Sequence, residues 1–340
     1  MRLATYNVEW FDALFDDAGH LQMDDRWSRR RDVTRAQQAE ALGMVFTALD
    51  ADAIMVIEAP DDSLHRSTTR ALEHFARAFS LRARKAVIGF ANETQQEIAL
   101  LYDPDRLKVA HVPGESRAAP RFDEVFRIDL DVDAVEDEVV FSKPPLELSA
   151  LSERGRSFMM IGAHLKSKAP HGAQDAASAM RLSIANRRKQ LAQAIWLRRR
   201  LVALMEAGES VMLMGDLNDG PGLDEYEHLF GRSSVEILLG DETGDSSSSG
   251  PCLYDPHAAQ VFARRFQAPP TSARFHIASE GRYLQALLDY IMVSDDLAQL
   301  KPAWRIWHPF DDPACWRAPE LQRALLLASD HFPVTLDIDL

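Results

Sequence analysis

Polar side chains that can carry out phosphate chemistry stand at the ends of apolar, β-type runs throughout this sequence. The set comprises Asn7, Glu58, His164, Asp216, Asn218, Asp289, Asp330 and His331. Strand ends are positions from which a rigid scaffold presents reactive groups. Mg²⁺ prefers carboxylate and carbonyl oxygens, and imidazole can hold or release a proton near neutral pH. These residue types therefore suit Mg²⁺-assisted attack of water on a phosphate.

The local sequence around Asp216 and Asn218 allows two interpretations. If the preceding strand continues, residues two apart present their side chains to the same face. The segment 216–222, Asp-Leu-Asn-Asp-Gly-Pro-Gly, is also rich in turn-forming residues. A turn that presents both side chains would satisfy both interpretations.

Six motifs occur in the order that is typical of a known family. They are Thr5-Tyr6-Asn7-Val8, Val56-Ile57-Glu58, Gly162-Ala163-His164-Leu165-Lys166-Ser167, Met214-Gly215-Asp216-Leu217-Asn218, Leu288-Asp289-Tyr290 and Ser329-Asp330-His331. Together they resemble the endonuclease/exonuclease/phosphatase superfamily, which includes deoxyribonuclease-like nucleases, abasic-site endonucleases, inositol polyphosphate 5-phosphatases and neutral sphingomyelinases. The resemblance runs from Asn7 to His331 and covers almost the whole chain.

The resemblance implies a metal site. Glu58 would be the principal Mg²⁺ ligand, with Asn7 and Asp330 as further ligands or close neighbours, and Mn²⁺ can substitute for Mg²⁺. Taken alone, a carboxylate at the end of a buried strand is better explained as an exposed strand tip. In company with Asn7 and Asp330 a metal ligand is favoured, because Mg²⁺ takes one or two protein carboxylates and keeps several waters.

The resemblance also implies roles in the reaction. Asp216 would position or deprotonate the attacking water, and Asn218 would donate a hydrogen bond to a phosphoryl oxygen. His164 and His331 would contact the scissile phosphate, and which of them acts as acid or base is left open.

Further charged residues are expected around these groups. Asp289 and Glu97 would orient a histidine and fix its tautomer, although Glu97 can also be a plain surface charge. Lys143, Lys166 and Lys168 would contact substrate phosphates. Many relatives carry arginine at the position of Lys143, and lysine replaces that bidentate fork with a point charge.

Two groups of arginines lie outside the motifs. The first, called here the basic cluster, consists of Arg26, Arg29, Arg30, Arg31 and Arg35. It either lines the mouth of the cleft or forms ion pairs on a solvated face. The arginines between 187 and 200, in a predicted helix, are expected to be solvated.

Composition limits the remaining possibilities. The chain has 340 residues, 46% of them apolar, with a net charge of −14 and two cysteines without metal-site spacing. Because the candidate site draws on residues from 7 to 331, we expect one domain over 1–340 with a loop-rich insertion at about 232–285. The acidic charge argues against a general nucleic-acid coat protein but leaves a nuclease open, since a cleft can be locally positive. With no recognisable signal peptide or membrane span, a cytoplasmic protein without an obligate protein partner is expected.

The spacing of apolar residues predicts helices at 35–49, 66–79 and 184–206, and strands at 2–8, 53–57, 98–102, 158–163, 211–214, 287–293 and 334–338. Mixed strands and helices indicate an α/β or layered α+β protein. The resemblance implies a four-layer sandwich, in which two mixed β-sheets pack together and helices flank them. Asp241–Gly250 is expected to be a mobile loop.

These observations predict a Mg²⁺-dependent phosphohydrolase that cleaves a phosphodiester by in-line attack of water, with a nuclease as the first choice. The alternative within enzymes is a phosphatase or phosphodiesterase that acts on a lipid or small phosphate ester. A non-catalytic binding module on the same fold is a third hypothesis, which the presence of Glu58 and both histidines disfavours.

Overall fold

The computed structural model describes residues 1–130, 136–170, 172–220, 231–240, 250–263, 268–277 and 281–340. The strands are β1 Arg2–Asn7, β2 Ala53–Ala59, β3 Lys85–Ile88, β4 Glu97–Tyr102, β5 Leu107–His111, β6 Phe126–Ile128, β7 Asp137–Val139, β8 Leu146–Ser152, β9 Ser157–His164, β10 Val211–Asp216, β11 Leu253–Tyr254, β12 Ala273–Ile277, β13 Arg282–Ala286, β14 Asp289–Ser294, β15 Ala303–Ile306 and β16 Val334–Asp337. The helices are α1 Arg35–Leu49, α2 Thr68–Ala78, α3 Ala176–Glu206, α4 Ser234–Leu239, α5 Pro256–Phe262, α6 Asp295–Ala298, α7 Pro313–Trp316 and α8 Pro319–Ala328, and a 3₁₀ helix covers Phe11–Leu14. The predicted loop at Asp241–Gly250 lies, except for Gly250, outside the described residues.

Most of the strands belong to two six-stranded mixed sheets. The first sheet has the order β15-β16-β1-β2-β4-β3, and the second has the order β11-β14-β10-β9-β8-β5. Each sheet contains a parallel pair, β1 with β2 and β9 with β10, and their other described neighbours pair antiparallel. Two hairpins, β6–β7 and β12–β13, stand beside the sheets.

Apolar side chains fill the spaces between the layers. Met55 and Leu100 of the first sheet meet Met160, Met214 and Ile291 of the second in a core between the sheets. The outer face of the first sheet packs against α1, α2 and α8, and that of the second packs against α3 and α4. The described chain is therefore a four-layer sandwich of two mixed sheets flanked by helices, and the predicted fold is confirmed.

The predicted helices form, but the longest one begins earlier than expected. It starts at Ala176 rather than 184, because the Asp175 side chain accepts the backbone N–H of Ser178 at 2.6 Å and caps its first turn. Most of the residues in its first two turns are exposed, so they lack the apolar spacing on which the prediction relied. None of the described helices combines the length and the apolar composition that crossing a bilayer requires.

The long helix α3 buries arginines that were expected to be solvated. Arg187 is only 1% exposed and donates to the Asp219 carboxylate at 2.6 Å. Arg200 pairs with the buried Glu147 at 2.5 Å. The prediction was wrong for these two residues because their partners lie on distant parts of the chain, which helical spacing cannot reveal.

The described parts of 232–285 carry short elements. Helices α4 and α5 lie there, and β11 extends the second sheet by pairing with β14. The hairpin β12–β13 reaches the C-terminal motif through a bridge between Ala273 and His331. Elements of two to seven residues hold too few apolar positions for a period to be recognised.

The sheet topology gathers the predicted site residues at one edge of the sandwich. Strands β1 and β2 run parallel and end near Asn7 and Glu58, and β9 and β10 end at His164 and Asp216. The antiparallel neighbour β14 begins at the same edge, where Asp289 stands opposite Asp216. Reactive groups distant in sequence therefore meet because their strands end together.

Gly215 allows the second sheet to deliver Asp216. Its φ is 140°, and a Cβ added there would lie 2.0 Å from the carbonyl oxygen of Ala163. We expect Gly215→Ala to lower the free energy of unfolding by about 3–5 kcal/mol, because backbone strain and overpacking act together. Urea-induced unfolding followed by circular dichroism measures this change.

Gly155→Ala is the matched control for backbone strain alone. Its φ is +82°, and an added Cβ would meet nothing within 4 Å. We expect it to cost about 1–2 kcal/mol, clearly less than Gly215→Ala. Equal losses in the two variants would show that the contact with Ala163 contributes nothing.

Candidate active site

Glu58 lies at an irregularity of β2, where the register with β4 shifts between Ile57 and Ala59. Its φ of 60° is in the left-handed region, which costs a non-glycine residue about 1–3 kcal/mol. The carboxylate accepts Gln96 Nε2 at 2.5 Å and also the backbone N–H of Trp10. The backbone is thus strained at the residue whose carboxylate was predicted to hold a metal.

Charges of both signs surround Glu58. Burial raises the pKa of Glu58, the positive charges of Lys143 and His331 oppose that rise, and Asp330 adds to it. Burial and Asp330 likewise raise the pKa of Glu9 to about 7. Three carboxyl groups, at Glu9, Glu58 and Asp330, therefore influence one another.

Asn7 connects the two sheets at the site. Its side-chain nitrogen donates to Asp216 Oδ2 at 2.9 Å, and its backbone carbonyl accepts Ser329 Oγ at 2.8 Å. Its side-chain oxygen is buried and has no hydrogen-bond partner among the described residues. A buried amide oxygen without a partner is costly unless a ligand or ion satisfies it.

Asp216 is the last residue of β10, and the chain turns directly after it. Asn218 has a φ of 49°, and its backbone N–H donates to Asp216 Oδ1 at 2.8 Å. Its side-chain nitrogen contacts Leu165 O at 3.1 Å and Asp216 Oδ2 at 3.3 Å. Of the two interpretations from sequence, the continued strand is wrong and the turn is correct.

His331 stands between two buried carboxylates. Its Nδ1 donates to Asp289 Oδ2 at 2.8 Å, and its Nε2 lies 3.8 Å from Asp216 Oδ2. Burial lowers the pKa of His331, but Asp289 and Asp216 outweigh burial and leave that pKa well above its usual value. Ser272 Oγ also donates to Asp289 Oδ2, at 2.8 Å. The two carboxylates therefore favour the protonated form of His331, and the bond to Asp289 fixes its ring.

The surroundings of His164, by contrast, favour a neutral ring. Burial lowers its pKa well below the usual value, and the positive charges of Lys143 and His331 lower it further. Lys143 Nζ lies 3.3 Å from His164 Nδ1. Because an ammonium can only donate, Nδ1 is the acceptor, and the proton of the neutral ring is on Nε2. That nitrogen lies 3.6 Å from Asp216 Oδ2.

The pKa of Asp216 reflects this environment. Burial raises it to about 7, Asp289 adds to the rise, and His331 and the donors Asn7 and Asn218 oppose it. A carboxylate with such a pKa can accept a proton near neutral pH.

Glu97 is near the site, and both of its carboxylate oxygens accept hydrogen bonds from Asn92 in the loop before β4. Glu97 Oε1 accepts the backbone N–H of Asn92 at 3.2 Å, and Oε2 accepts the Asn92 side chain at 2.6 Å. Asn92 in turn donates to the backbone carbonyl of Gln96 at 3.1 Å. The contacts of Glu97 thus orient the loop that carries Gln96, and the described residues show no hydrogen bond from Glu97 to a histidine.

The three predicted lysines occupy different environments. Lys143 contacts Gln96 Oε1 at 2.5 Å, which places it beside Glu58. Lys168 Nζ forms an ion pair with the buried Asp219 at 2.7 Å, which partly neutralises its charge within the protein. The Lys166 backbone is fixed by a bond from its N–H to Gln193 Oε1 at 2.9 Å.

The basic cluster both forms ion pairs and borders the site. The pairs are Arg26 and Arg35 with Asp24, Arg29 with Asp12, Arg30 with Glu9, and Arg31 with Asp32. Arg29 also lies 5.4 Å from the ring of Trp10, and Arg31 contacts His276 of the hairpin β12–β13. Both interpretations of the cluster therefore hold in part.

Two groups of side chains offer several metal-ligating atoms. The first is Asp216, Asp289 and His331, whose ligand atoms lie within 4.8 Å of one another. The His331 ring lies between the two carboxylates, and its Nδ1 already donates to Asp289 at 2.8 Å. The second group consists of the Glu58 carboxylate and the partnerless side-chain oxygen of Asn7, which stand at the ends of the paired strands β2 and β1. The oxygens of the second group have the chemistry that Mg²⁺ prefers, and the first group combines two carboxylates with an imidazole.

Sequence reasoning missed three residues that hold the site together. Gln96 bridges Glu58 and Lys143, Ser272 donates to Asp289, and Asp219 pairs with Lys168 and Arg187. Asp219 follows directly on Asp216-Leu217-Asn218 and had a recognisable position. Gln96 and Ser272 carry no signal of their own, because single glutamines and serines occur at many turns.

Comparison with known proteins agrees with this geometry. The family described as Endonuclease/Exonuclease/phosphatase matches residues 4–331. A crystal structure of truncated Caenorhabditis elegans TDP2 is similar, with a TM-score of 0.51, 13% identity, and coverage of 100% of this chain and 97% of that one. A second C. elegans TDP2 structure gives a TM-score of 0.50 at 12% identity, and the match covers 100% of this chain and 75% of that one. An endonuclease/exonuclease/phosphatase from Bacteroides vulgatus gives 0.48 at 13% identity, with 100% and 98% covered.

No curated protein sequence matches the chain. The two C. elegans TDP2 similarities are below 25% identity and show the fold alone. The family match spans nearly the whole chain, and the described strands place the family's motifs at one edge of the sandwich. The chain therefore belongs to the Endonuclease/Exonuclease/phosphatase family, whose members are divalent-metal-dependent hydrolases of phosphate esters.

Proposed function

We propose that the protein is a Mg²⁺-dependent phosphodiesterase, with a nuclease as the first choice. The observation that carries this proposal is the environment of Asp216. Its Oδ2 accepts Asn7 at 2.9 Å and lies 3.6 Å and 3.8 Å from the Nε2 atoms of His164 and His331. A proton acceptor therefore lies beside two imidazoles that can donate to a phosphate, an arrangement suited to activating water and stabilising the phosphoryl oxygens.

Glu58 would hold Mg²⁺, with the side-chain oxygen of Asn7 and the Asp330 carboxylate as neighbours. When bound, the ion neutralises charge that develops on the phosphoryl group. Mn²⁺ would take its place with the same oxygen ligands. The strained backbone of Glu58 and the partnerless oxygen of Asn7 support this assignment.

The remaining groups act on the water and the phosphate. Asp216 accepts a proton from the attacking water. His331, as a cation, and His164, through its Nε2–H, donate to phosphoryl oxygens. The side chain of Asn218 can join them by exchanging its 3.3 Å contact with Asp216 for one with substrate. Asp289 keeps His331 charged and oriented.

The surroundings of the site favour a nucleotide-type substrate. Trp10, whose backbone N–H donates to the Glu58 carboxylate, is 37% exposed. The Arg29 guanidinium lies against the ring of Trp10. An exposed aromatic ring next to a phosphate site can stack on a nucleobase. A lipid or small phosphate ester is the alternative substrate. The proposal also includes the prediction that residues 1–340 form one domain.

The test is hydrolysis of a generic phosphodiester, bis-p-nitrophenyl phosphate, with Mg²⁺, with Mn²⁺ and with a chelator. We expect turnover only with a metal. A parallel panel of plasmid, single-stranded DNA, RNA, an inositol phosphate and sphingomyelin separates the substrate classes. No turnover of any phosphate ester with either metal would support the non-catalytic binding module instead.

Binding of nucleic acid should depend only weakly on salt. Lys168 and the basic cluster are already paired with carboxylates, and no described carboxylate lies within ion-pair distance of Lys143 or Lys166. Neutralising about two phosphates predicts a slope of about −1 to −2 for log affinity against log salt. The measurement uses the Glu58→Gln variant with short and long oligonucleotides. A steep slope that grows with length would reveal an extended basic track and contradict this expectation.

A further inference from the structure

Gln96 lies between the residue proposed to hold the metal and the lysine proposed to contact the phosphate. Its Nε2 donates to Glu58 Oε2 at 2.5 Å, and its Oε1 accepts Lys143 Nζ at 2.5 Å. Lys143 continues to His164 Nδ1 at 3.3 Å. One amide group therefore separates a buried carboxylate from an ammonium.

The orientation of this amide is dictated by its neighbours. A flipped amide would turn its oxygen toward the carboxylate and its hydrogens toward the ammonium, and both contacts would be repulsive. The backbone of Gln96 is also fixed, because its carbonyl accepts Asn92 Nδ2 at 3.1 Å and Thr94 Oγ1 at 3.0 Å. The loop that Glu97 supports therefore fixes the backbone position from which the Gln96 side chain reaches Glu58 and Lys143.

We propose that Gln96 is a positioning residue that prevents Lys143 from forming a direct ion pair with Glu58. This inference rests on the proposed function, since it assumes that Glu58 holds a divalent cation. A lysine side chain is long and flexible, and its ammonium would close on a neighbouring buried carboxylate if nothing stood between them. Such a pair would place a fixed positive charge where the metal must bind.

The Gln96 amide gives Glu58 and Lys143 each a partner of its own. Glu58 has one oxygen engaged with Gln96 Nε2, and its carboxylate remains available to a cation. Lys143 gives one hydrogen to Gln96 and another to His164, which sets the tautomer of that ring, and keeps a third for a substrate phosphate. Without the amide, Lys143 would pair with Glu58 and weaken metal binding there. This weakening can be measured in the absence of substrate.

The test measures Mn²⁺ binding by the loss of its free electron paramagnetic resonance signal, with no substrate present. The full chain is compared with Gln96→Leu, Lys143→Met and the double variant. We expect Gln96→Leu to weaken Mn²⁺ binding about tenfold or more, because a positive charge then competes at the carboxylate. In the Lys143→Met background, Gln96→Leu should have no further effect, because the competitor is gone.

Gln95→Leu is the matched control. Gln95 is the neighbouring residue, and its side chain accepts Arg29 Nη1 at 3.2 Å outside the Glu58 contacts. Its Mn²⁺ affinity should equal that of the unmodified protein. Equal weakening by Gln96→Leu with and without Lys143 would overturn the inference, because Gln96 would then act on Glu58 directly. Thermal unfolding of each variant confirms that the comparison is made on folded protein.

Failure of the inference and failure of the proposed function give different results. If the unmodified protein binds no Mn²⁺, or if Glu58→Gln leaves binding unchanged, the proposed metal site is wrong. If the unmodified protein binds Mn²⁺ through Glu58 and Gln96→Leu binds it equally well, only the role of Gln96 is wrong.

Discussion

Glu58→Gln should lower kcat/KM for a phosphodiester by about 10³-fold or more at saturating Mg²⁺, since charge stabilisation by a metal is worth several kcal/mol. The variant keeps the shape of the side chain and its contact with Gln96 but removes the negative charge. Steady-state kinetics over a range of Mg²⁺ concentrations measures the loss. Raising the metal concentration should recover little activity, because a neutral amide is a poor substitute for the principal carboxylate ligand.

The fold should survive this change. Burial raises the pKa of Glu58, so the folded state disfavours its charged form, and a neutral glutamine relieves that cost. We therefore expect a melting temperature that is unchanged or higher. Glu40→Gln, an exposed position on α1, is the control and should leave activity and stability unchanged. Full activity of Glu58→Gln at saturating Mg²⁺ would remove Glu58 from the site.

The layered fold and the gathering of the site residues could be expected from sequence for a physical reason. Apolar runs form strands, and the ends of parallel strands such as β9 and β10 lie side by side at one edge. Polar residues that follow such runs, including His164 and Asp216, must therefore meet. The order of the motifs along the chain then identifies the family without any knowledge of contacts.

The details that could not be predicted depend on contacts between distant segments. Glu97 was expected to orient a histidine, but its nearest donors come from Asn92 five residues earlier. Lys168 was predicted to contact substrate, and its bond to Asp219, which also pairs with Arg187, was not predicted. Each outcome depends on which partner lies nearest after folding, and spacing along the chain carries no such information.

The two histidines have the same residue type and similar burial, and their surroundings nevertheless favour different protonation states. Both rings lie near Asp216, but His331 also bonds Asp289, whereas Lys143 and Lys166 lie near His164. A neighbouring carboxylate stabilises imidazolium and a neighbouring ammonium destabilises it. The surroundings therefore favour the protonated form of His331 and the neutral form of His164, and under the proposed function one ring would stabilise charge while the other donates through Nε2–H.

His331→Ala should lower kcat by about 10²–10⁴-fold, the usual effect of losing a positioned group that transfers a proton or stabilises charge. His164→Ala should lose a comparable factor. Because alanine at 331 also removes one of the two side-chain donors to the buried Asp289, His331→Gln is the companion variant. Glutamine can still donate to Asp289 but cannot become a cation, so it should fold normally and remain slow.

The charge of His331 can be tested separately through the pH dependence of kcat/KM. The pKa of His331 is raised, so the cation persists above pH 6.5, and activity that requires it is lost only as pH rises through the folded-state pKa. Asp289→Asn removes a neighbouring negative charge that raises this pKa, and the alkaline limb should move to lower pH. The His331–Asp289 pair contributes its full stability below pH 6.5 and loses it as pH rises through the raised pKa of His331. Asp289→Asn should therefore be most destabilised below pH 6.5. An alkaline limb that stays in place in Asp289→Asn, together with wild-type rates for His331→Gln, would mean that His331 is a structural residue and that the proposed acid–base network does not act on the phosphate.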